Sequence, residues 1–309
     1  MPETLVIALG GNAITRPGEP GTIPQQFAHT ADTLEYLKPI FRTGARIVIT
    51  HGNGPQIGNI LIRVEEGERR VPRLPLDTCV SDSQGGMGYM IQRLAAELFR
   101  REAIDRAAVT VITQVLVNEG DPNLVHPTKP IGPFYDERIR SEKPHWQLQE
   151  IEAGRWRRVV ASPRPLRILE ESAIRALLDA GMVVIACGGG GIPVAWEDGR
   201  LLGVEGVVDK DFASSLLATD LGADRLIILT SVDRVALRFA SAKPCWLDVL
   251  TIDQARQYLA AGEFPPGSMG PKIEAAIEFV AHGGKECIIT SAEQAALALC
   301  GQAGTHIVA

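Results

Sequence analysis

The sequence lacks the features of several large classes of protein. Its five cysteines form no Cys-x-x-Cys pair and are an odd number, which favours reduced thiols over a disulfide framework. No apolar run is long enough to span a membrane, since the best candidate is interrupted by Asp179 and Gly181. The net charge of −6 is not the basic excess of a nucleic-acid-binding surface. The first residues also lack the positive charge of a signal peptide. We therefore expect a cytoplasmic protein with no nucleic-acid or membrane partner.

Familiar catalytic and nucleotide-binding motifs are absent too. The six histidines show no metal-ligand spacing, and Ser83 does not lie in a nucleophile-elbow pattern. No GxGxxG fingerprint occurs, and the stretch Gly262–Ser268 has serine where a P-loop requires lysine. A zinc site, a nucleophilic serine and a simple dinucleotide-binding fingerprint are therefore unsupported.

Strand-like apolar runs that end in glycines are the strongest positive signal. Glycine lets the backbone approach a ligand closely, and α/β proteins bind anions beyond the carboxyl ends of parallel strands. Strand and helix patterns alternate along most of the chain, which predicts a mostly parallel sheet covered on both faces by helices. The three runs are Leu5–Leu9 before Gly10 and Gly11, Arg46–Thr50 before the loop 51–58, and the stretch Val183–Pro193 with its four glycines Gly188–Gly191.

Other segments give more local predictions. The glycine- and serine-rich stretch Asp77–Gly88 predicts a loop that leads into a helix near 89–103, and Pro165–Ala180 predicts a single helix. The end of the chain, His306–Val308, predicts a closing edge strand. The segment 118–158 breaks the alternation with prolines, aromatic residues and charges, which favours an ordered, projecting subdomain.

Three lysines have unusual surroundings. Lys272 follows Pro271 at the start of a predicted helix, where a cation opposes the helix dipole unless both face one anion. Lys210 lies between Asp209 and Asp211 at another helix start, where the carboxylates could orient lysines, approach a magnesium ion or only cap the helix. Lys129 stands before a proline in the projecting segment, a position that an ordinary surface lysine would also fit.

Eight strings along the chain form a pattern of fixed order and spacing. They are ALGGNAI (8–14), THGNGPQIG (50–58), SQGGMGY (83–89), HPTKPIGPFY (126–135), RRVVASPRP (157–165), CGGGGIPV (187–194), GVEGVVDKD (203–211) and GSMGPK (267–272). In these strings the chain resembles the carbamate kinases, a family within the amino-acid-kinase superfamily. The likeness runs from about Leu5 to Ile289, and HPTKPIGPFY and GVEGVVDKD are its most specific strings.

This resemblance implies a three-layer αβα fold around an open, mainly parallel sheet, with a small protruding subdomain. It implies a homodimer and reversible phosphoryl transfer between carbamoyl phosphate and ADP, giving ATP and carbamate, with Mg²⁺ accompanying the nucleotide. It further implies one domain over 1–309, with an N-lobe (about 1–180) for carbamoyl phosphate, a C-lobe (about 181–309) for nucleotide, and a lid over 118–158.

The resemblance also assigns site residues. The implied catalytic residues are Lys129, Lys210, Lys272 and Asp211. The implied substrate-binding residues are Gly10, Gly11, Asn12, Gly52, Asn53 and Gly54. The implied nucleotide-binding residues are Gly188, Gly189, Gly190, Asp209, Thr230, Val232 and Met269.

The chain departs from the family pattern at 236–238, where an aromatic residue and an asparagine are usual, so details of the adenine pocket do not follow. Two other functions stay open: a sibling kinase acting on another small carboxylate or phosphorylated metabolite, and a non-catalytic nucleotide or anion sensor. The sensor is disfavoured because it is expected to lose one or more of the three lysines, and all three are present.

Overall fold

A computed structural model describes residues 2–16, 18–239, 241 and 243–309. In this part of the chain the strands are β1 (Thr4–Leu9), β2 (Arg46–His51), β3 (Ala108–Thr110), β4 (Gln114–Val117), β5 (Lys129–Tyr135), β6 (Leu148–Glu152), β7 (Arg155–Val160), β8 (Pro165–Ile168), β9 (Val183–Ile185), β10 (Ile192–Glu197), β11 (Arg200–Gly203), β12 (Arg225–Leu229), β13 (Val235–Leu237), β14 (Cys245–Leu247), β15 (Val249–Thr251), β16 (Glu286–Thr290) and β17 (Thr305–Val308). The helices are α1 (Ile23–Phe41), α2 (Gly54–Gly67), α3 (Leu76–Arg101), α4 (Ile139–Glu142), α5 (Glu171–Asp179), α6 (Lys210–Leu221), α7 (Ile252–Ala260), α8 (Met269–Ala281) and α9 (Ala295–Leu299). Short 3₁₀ turns lie at Gly11–Ala13, Pro122–Leu124 and Gly188–Gly190.

An eight-stranded sheet forms the middle layer, in the order β15-β17-β16-β12-β1-β2-β9-β3. Its pairings are parallel except that between β16 and β17. Every residue of β1 is buried, as expected of a strand covered on both faces. Val6 and Ala8 pack toward α5, α6 and α8, whereas Leu5, Ile7 and Leu9 pack toward α1, α3 and α9. This confirms the predicted three-layer αβα fold with a mainly parallel sheet.

Three smaller sheets in the described part of the chain stand beside this core. They are β11-β10-β4-β8, the pair β13-β14, and β5-β7-β6, an antiparallel sheet that lies mostly within the segment predicted to project. Ile131 of β5 and Val160 of β7 are buried in a cluster with Ile57 of α2 and Val80 of α3. The sheet of β5, β7 and β6, called the small sheet below, therefore packs on α2, the helix that follows the glycine turn after β2.

The prediction of a loop at Asp77–Gly88 was wrong, because α3 already begins at Leu76. Leu76, Val80, Met87 and Ile91 are buried along one face of this helix, and the packing outweighs the low helix propensity of its glycines. Gly88 has a packing role, since a Cβ there would stand 2.3 Å from the side chain of Thr110.

Two other local predictions also need correction. Residues 165–180 do not form a single helix, because 165–168 pair as β8 with β4 before α5 begins at Glu171. The strand β17 is not an edge strand, since it lies between β16 and β15. The short strand β15 at the true edge has only three residues, too few for a periodic signal. None of the helices in the described ranges combines the length and apolar character needed to cross a bilayer.

Candidate active site

A cleft of about 510 Å³ lies beyond the carboxyl ends of β1, β2 and β12. Parallel strands deliver their following turns to this edge, which is where an open α/β sheet binds ligands. The small sheet forms one wall and the segment before α8 forms another. The residues that line the cleft include Gly10, Gly11, Gly52, Asn53, Gly54, Lys129, Arg157, Gly189, Asp209, Lys210, Asp211, Thr230, Val232, Arg234, Ala236, Phe239, Met269 and Lys272.

The three lysines singled out in the sequence converge on two carboxylates in this cleft. Asp211 accepts hydrogen bonds from Lys210 Nζ through Oδ1 and from Lys272 Nζ, 3.0 Å away, through Oδ2. Lys129 Nζ donates to Asp209 Oδ2. Asp209 also caps α6, because its Oδ1 accepts the backbone N–H of Asp211 at 2.9 Å. One helix start thus provides Lys210 and both carboxylates, while β5 and α8 bring the other two lysines.

Burial and charge act against each other in this network. Burial alone would raise the pKa of Asp211, but Lys210 and Lys272 outweigh it and hold that pKa well below its usual range. Burial is the largest cause that lowers the pKa of Lys210; Asp211 opposes the shift and Lys272 adds to it. Burial would lower the pKa of Lys272 as well, yet Asp211 and Asp209 outweigh it and raise that pKa. Asp211 is therefore an anion that keeps two buried ammonium groups together.

Side chains of α3 hold two of the glycine turns in place, the turn after β2 and the Gly188–Gly190 turn. Asn53 is buried, and its Nδ2 donates to Ser83 Oγ at 2.9 Å. Gln84 Nε2 donates to the carbonyl of Gly188 at 2.9 Å, which ties the Gly188–Gly190 turn to the same helix. Gly189 has a φ of +67°, and a Cβ there would stand 2.1 Å from Asn53 Nδ2. Glycine is thus required where the two turns meet.

Ser83 and Gln84 were missed as positioning residues in the sequence, because their stretch was assigned to a loop. The signal that could have found them is the spacing of α3: Cys79, Val80, Ser83, Gln84 and Met87 are buried at helical intervals. Polar residues on the buried face of a helix need partners, and Asn53 and Gly188 provide them.

Most of the predicted site residues line the cleft. All three glycines of the Gly188–Gly190 turn are buried, and of these only Gly189 lines the cleft. Asn12 lies in the turn Gly11–Ala13, and its side chain is outside the described part of the structure. The lining residues among the predicted set are Gly10, Gly11, Gly52, Asn53, Gly54, Lys129, Gly189, Asp209, Lys210, Asp211, Thr230, Val232, Met269 and Lys272.

The wall beyond Thr230 contains residues that the motifs did not identify. Ala236 is buried in that wall, whereas Phe239 is exposed and packs edge-to-face on Trp246 with ring centroids 6.2 Å apart. Arg234 also lines the cleft and pairs with Asp248 at 2.8 Å. An exposed aromatic ring in a cleft suits stacking on a planar ligand.

The carboxylates of this cleft do not form a metal site by themselves. No group of three or more His, Cys, Asp or Glu side chains in the described residues is placed to hold a metal ion. Asp209 and Asp211 both pair with lysines. They nevertheless fit the usual coordination of Mg²⁺, which takes one or two carboxylates together with substrate phosphates.

Comparisons with known proteins agree on one family. Residues 3–291 match the amino acid kinase family. A carbamate kinase of Pyrococcus horikoshii is 44% identical over 313 residues, which cover 99% of each chain. A carbamate kinase 2 of Staphylococcus aureus is 46% identical over 314 residues, again 99% of each chain. A solved carbamate kinase of Giardia lamblia bound to AMP-PNP superposes with a TM-score of 0.91 at 38% identity, covering 99% of this chain and 98% of that one.

These relatives match the chain end to end, and the matched region includes every lysine and aspartate of the network. The chain belongs to the amino acid kinase family and, within it, to the carbamate kinases.

Proposed function

We propose that the cleft catalyses reversible phosphoryl transfer between carbamoyl phosphate and ADP, giving ATP and carbamate. The observation that carries this proposal is the convergence of Lys129, Lys210 and Lys272 on two carboxylates beside the glycine turns. Phosphoryl transfer demands little covalent work from a protein, so catalysis depends on positioning and on stabilising charge around the moving group. Such a network provides that stabilisation.

Lys210 and Lys272 are proposed to stabilise the phosphoryl group during transfer. Asp211 holds both ammonium groups on one side of the cleft, so their charge is already oriented before the reactants bind. No general base is required for ATP formation, because the attacking ADP oxygen is already anionic. This agrees with a cleft wall whose described residues include no histidine.

The two reactants are proposed to occupy opposite ends of the cleft. The turns at Gly10–Gly11 and Gly52–Gly54, with Lys129 from the small sheet, form the carbamoyl-phosphate end. Thr230, Val232, Met269 and the exposed ring of Phe239 form the nucleotide end. The related carbamate kinase of Giardia lamblia has been solved with AMP-PNP, which supports a nucleotide site in this fold.

Mg²⁺ is proposed to enter with the nucleotide and to be held by its phosphates, with Asp209, which lines the cleft, as the proposed protein ligand. When bound, the ion would offset phosphate charge. The lysines pair with both carboxylates, so the protein alone offers the ion little free negative charge.

The wider setting is also a proposal. A homodimer is supported by apolar side chains exposed on the sheet of β11, β10, β4 and β8, namely Trp196, Leu202 and Leu166. A cytoplasmic location is supported by the unpaired cysteines. A role in arginine metabolism rests on the family alone.

The decisive test is a coupled assay of ATP formation from carbamoyl phosphate and MgADP. A second panel supplies MgATP with amino-acid carboxylates, to detect a sibling kinase. Lys272→Ala is the impaired reference, and Lys285→Ala, which removes an exposed lysine paired with Asp224, is the matched control. ATP formation at similar rates by wild type and Lys285→Ala, but at a rate about 10²–10³ lower by Lys272→Ala, supports the proposal. Turnover of another carboxylate without ATP formation from carbamoyl phosphate refutes it.

A further inference from the structure

An arginine, in addition to the three lysines, lines the cleft on the side of the small sheet. Arg157 lies in β7, the strand that pairs with β5, and both Arg157 and Lys129 of β5 face the cleft. Its Nη2 donates to the carbonyl of Gly132 at 2.7 Å. Its Nε is buried and has no hydrogen-bond partner in the described residues. A guanidinium has five N–H donors, so this one keeps unused donors at a cleft wall.

The neighbouring arginines of the same strand show that this is unusual. Arg155 pairs with Glu152, and Arg158 pairs with Glu65 at 2.6 Å. Arg157 forms no ion pair with any carboxylate of the described residues, and the ring of Phe134, 5.4 Å away, is a weak substitute for one. Of these three arginines only Arg157 lines the cleft.

Burial without a counter-charge is unfavourable for a cation. It lowers the pKa of Arg157 from its ordinary value, and the Tyr135 hydroxyl opposes that shift. An arginine stays charged even so, because its pKa lies far above neutral pH. A partly buried cation that lacks a counter-charge is stabilised when an anion binds, and a planar guanidinium matches a phosphate with two parallel hydrogen bonds.

We propose that Arg157 is a binding residue for carbamoyl phosphate, donating to the anionic acyl phosphate from the side of the small sheet. This inference rests on the proposed function. Gly132 holds one nitrogen of the guanidinium, which sets its plane before the substrate arrives. Arg157 thereby distinguishes the acyl phosphate from the nucleotide, whose proposed end of the cleft lies beyond Thr230.

The test compares Arg157→Gln, Arg157→Lys, Arg155→Gln and Arg158→Gln. The measurements are kcat, KM for carbamoyl phosphate, KM for MgADP, and the thermal midpoint. For Arg157→Gln we expect KM for carbamoyl phosphate to rise about 10- to 100-fold, the range for losing a charge-assisted hydrogen bond. KM for MgADP should stay within about twofold. Arg157→Lys keeps the charge but not the paired donors, so its KM should fall between wild type and Arg157→Gln.

The two control variants separate binding from packing. Arg155→Gln removes a positive charge from the same strand outside the cleft, and KM for carbamoyl phosphate should stay near the wild-type value. Arg158→Gln breaks the ion pair with Glu65 and loosens the small sheet. If Arg158→Gln raises this KM as much as Arg157→Gln does, packing explains the effect and the inference is overturned.

Other outcomes are equally decisive. The inference is overturned if both Arg157 variants keep the wild-type KM for carbamoyl phosphate. It is also overturned if KM rises equally for carbamoyl phosphate and for MgADP. If Arg157→Gln fails to fold, the intermediate KM expected of Arg157→Lys still tests it. The proposed function is tested separately, by whether the wild-type protein forms ATP from carbamoyl phosphate and MgADP. If it does and Arg157→Gln has wild-type kinetics, only the role of Arg157 is refuted.

Discussion

Replacing Asp211 by asparagine should affect both stability and catalysis. The two side chains are nearly equal in size, so the change removes one negative charge and little volume. The site is buried, with 3% of Asp211 exposed, and the carboxylate accepts from both Lys210 and Lys272. Asparagine would leave these two ammonium groups side by side with no charge between them.

The magnitude follows from burial. Removing one partner of a buried ion pair costs about 3–5 kcal/mol. In a protein of more than 150 residues, a change of 1 kcal/mol shifts the thermal midpoint by about 2–4 °C, so we expect a loss on the order of 10 °C for Asp211→Asn. We expect kcat to fall by about 10²–10³, as for loss of a group that orients transition-state charge.

The pH dependence of this loss has a definite sign. The pKa of Asp211 is depressed in the folded state, so its contribution is complete above its unfolded pKa of 3.8 and is lost as pH falls through the lower folded value. In Asp211→Asn both lysines lose their counter-charge, so burial lowers the folded pKa of Lys210 further and Asp211 no longer raises that of Lys272. Such a depressed lysine destabilises the folded state at low pH, and the penalty disappears as pH rises from its folded pKa to 10.5. The stability gap between wild type and variant should therefore be widest near neutral pH.

Urea unfolding at several pH values, together with the coupled ATP assay, measures these effects. The matched control is Asp253→Asn, which breaks an exposed pair with Arg256 and should change stability by less than about 1 kcal/mol. The reasoning is refuted if Asp211→Asn is as stable as this control at pH 7 and retains wild-type kcat.

Three further predictions concern the groups around this carboxylate. Lys210→Ala and Lys272→Ala should each lower kcat by about 10²–10³ with smaller changes in KM, and wild-type turnover in a folded variant would contradict their proposed role. Lys129→Ala should raise KM for carbamoyl phosphate more than it weakens MgADP binding measured by calorimetry; the opposite result would place Lys129 on the nucleotide side. Burial lowers the pKa of His51 to about 4, so wild type should lose about 3 kcal/mol of stability as pH falls from 6.5 to 4, whereas His51→Asn should not. Parallel urea titrations of the two proteins over that range would show equal slopes if His51 were not responsible.

The sequence predicted the fold well where patterns were local and strong. The start of α6 was predicted at Lys210 and lies there, because the side chain of Asp209 caps it. The strand-like runs Leu5–Leu9 and Arg46–Thr50 form β1 and β2, each within one residue of the predicted bounds. Errors arose where tertiary packing overrides propensity, as in the glycine-containing part of α3, or where strands are too short to show a period, as with β15.

The candidate site was predicted as a set of residues but not as an arrangement. Glycine-ended strands indicate a binding edge, and the strings around Lys129, Lys210 and Lys272 mark the cations. Lys210 and Asp211 are neighbours in sequence, but the pairing of Lys129 with Asp209 and of Lys272 with Asp211 spans 80 and 61 positions, which no local pattern encodes. Nothing in the sequence is a reason to select Arg157 either. Arg155 and Arg158 each form an ion pair with a glutamate and Arg157 does not, and this difference is visible only in the structure.

The balance of charge in the cleft explains why its lysines are paired at all. The described network holds three ammonium groups and two carboxylates, a surplus of one positive charge, in a chain whose net charge is −6. Without Asp209 and Asp211 the buried ammonium groups would repel one another and destabilise the folded protein. With more carboxylates the cleft would repel the phosphates of its proposed reactants. Two carboxylates keep the lysines charged and oriented while leaving the cleft attractive to anions, and Arg157 adds a further unpaired cation on the carbamoyl-phosphate side. A substitution that alters this balance should therefore change stability and turnover together, whereas one at Arg157 should change substrate affinity alone.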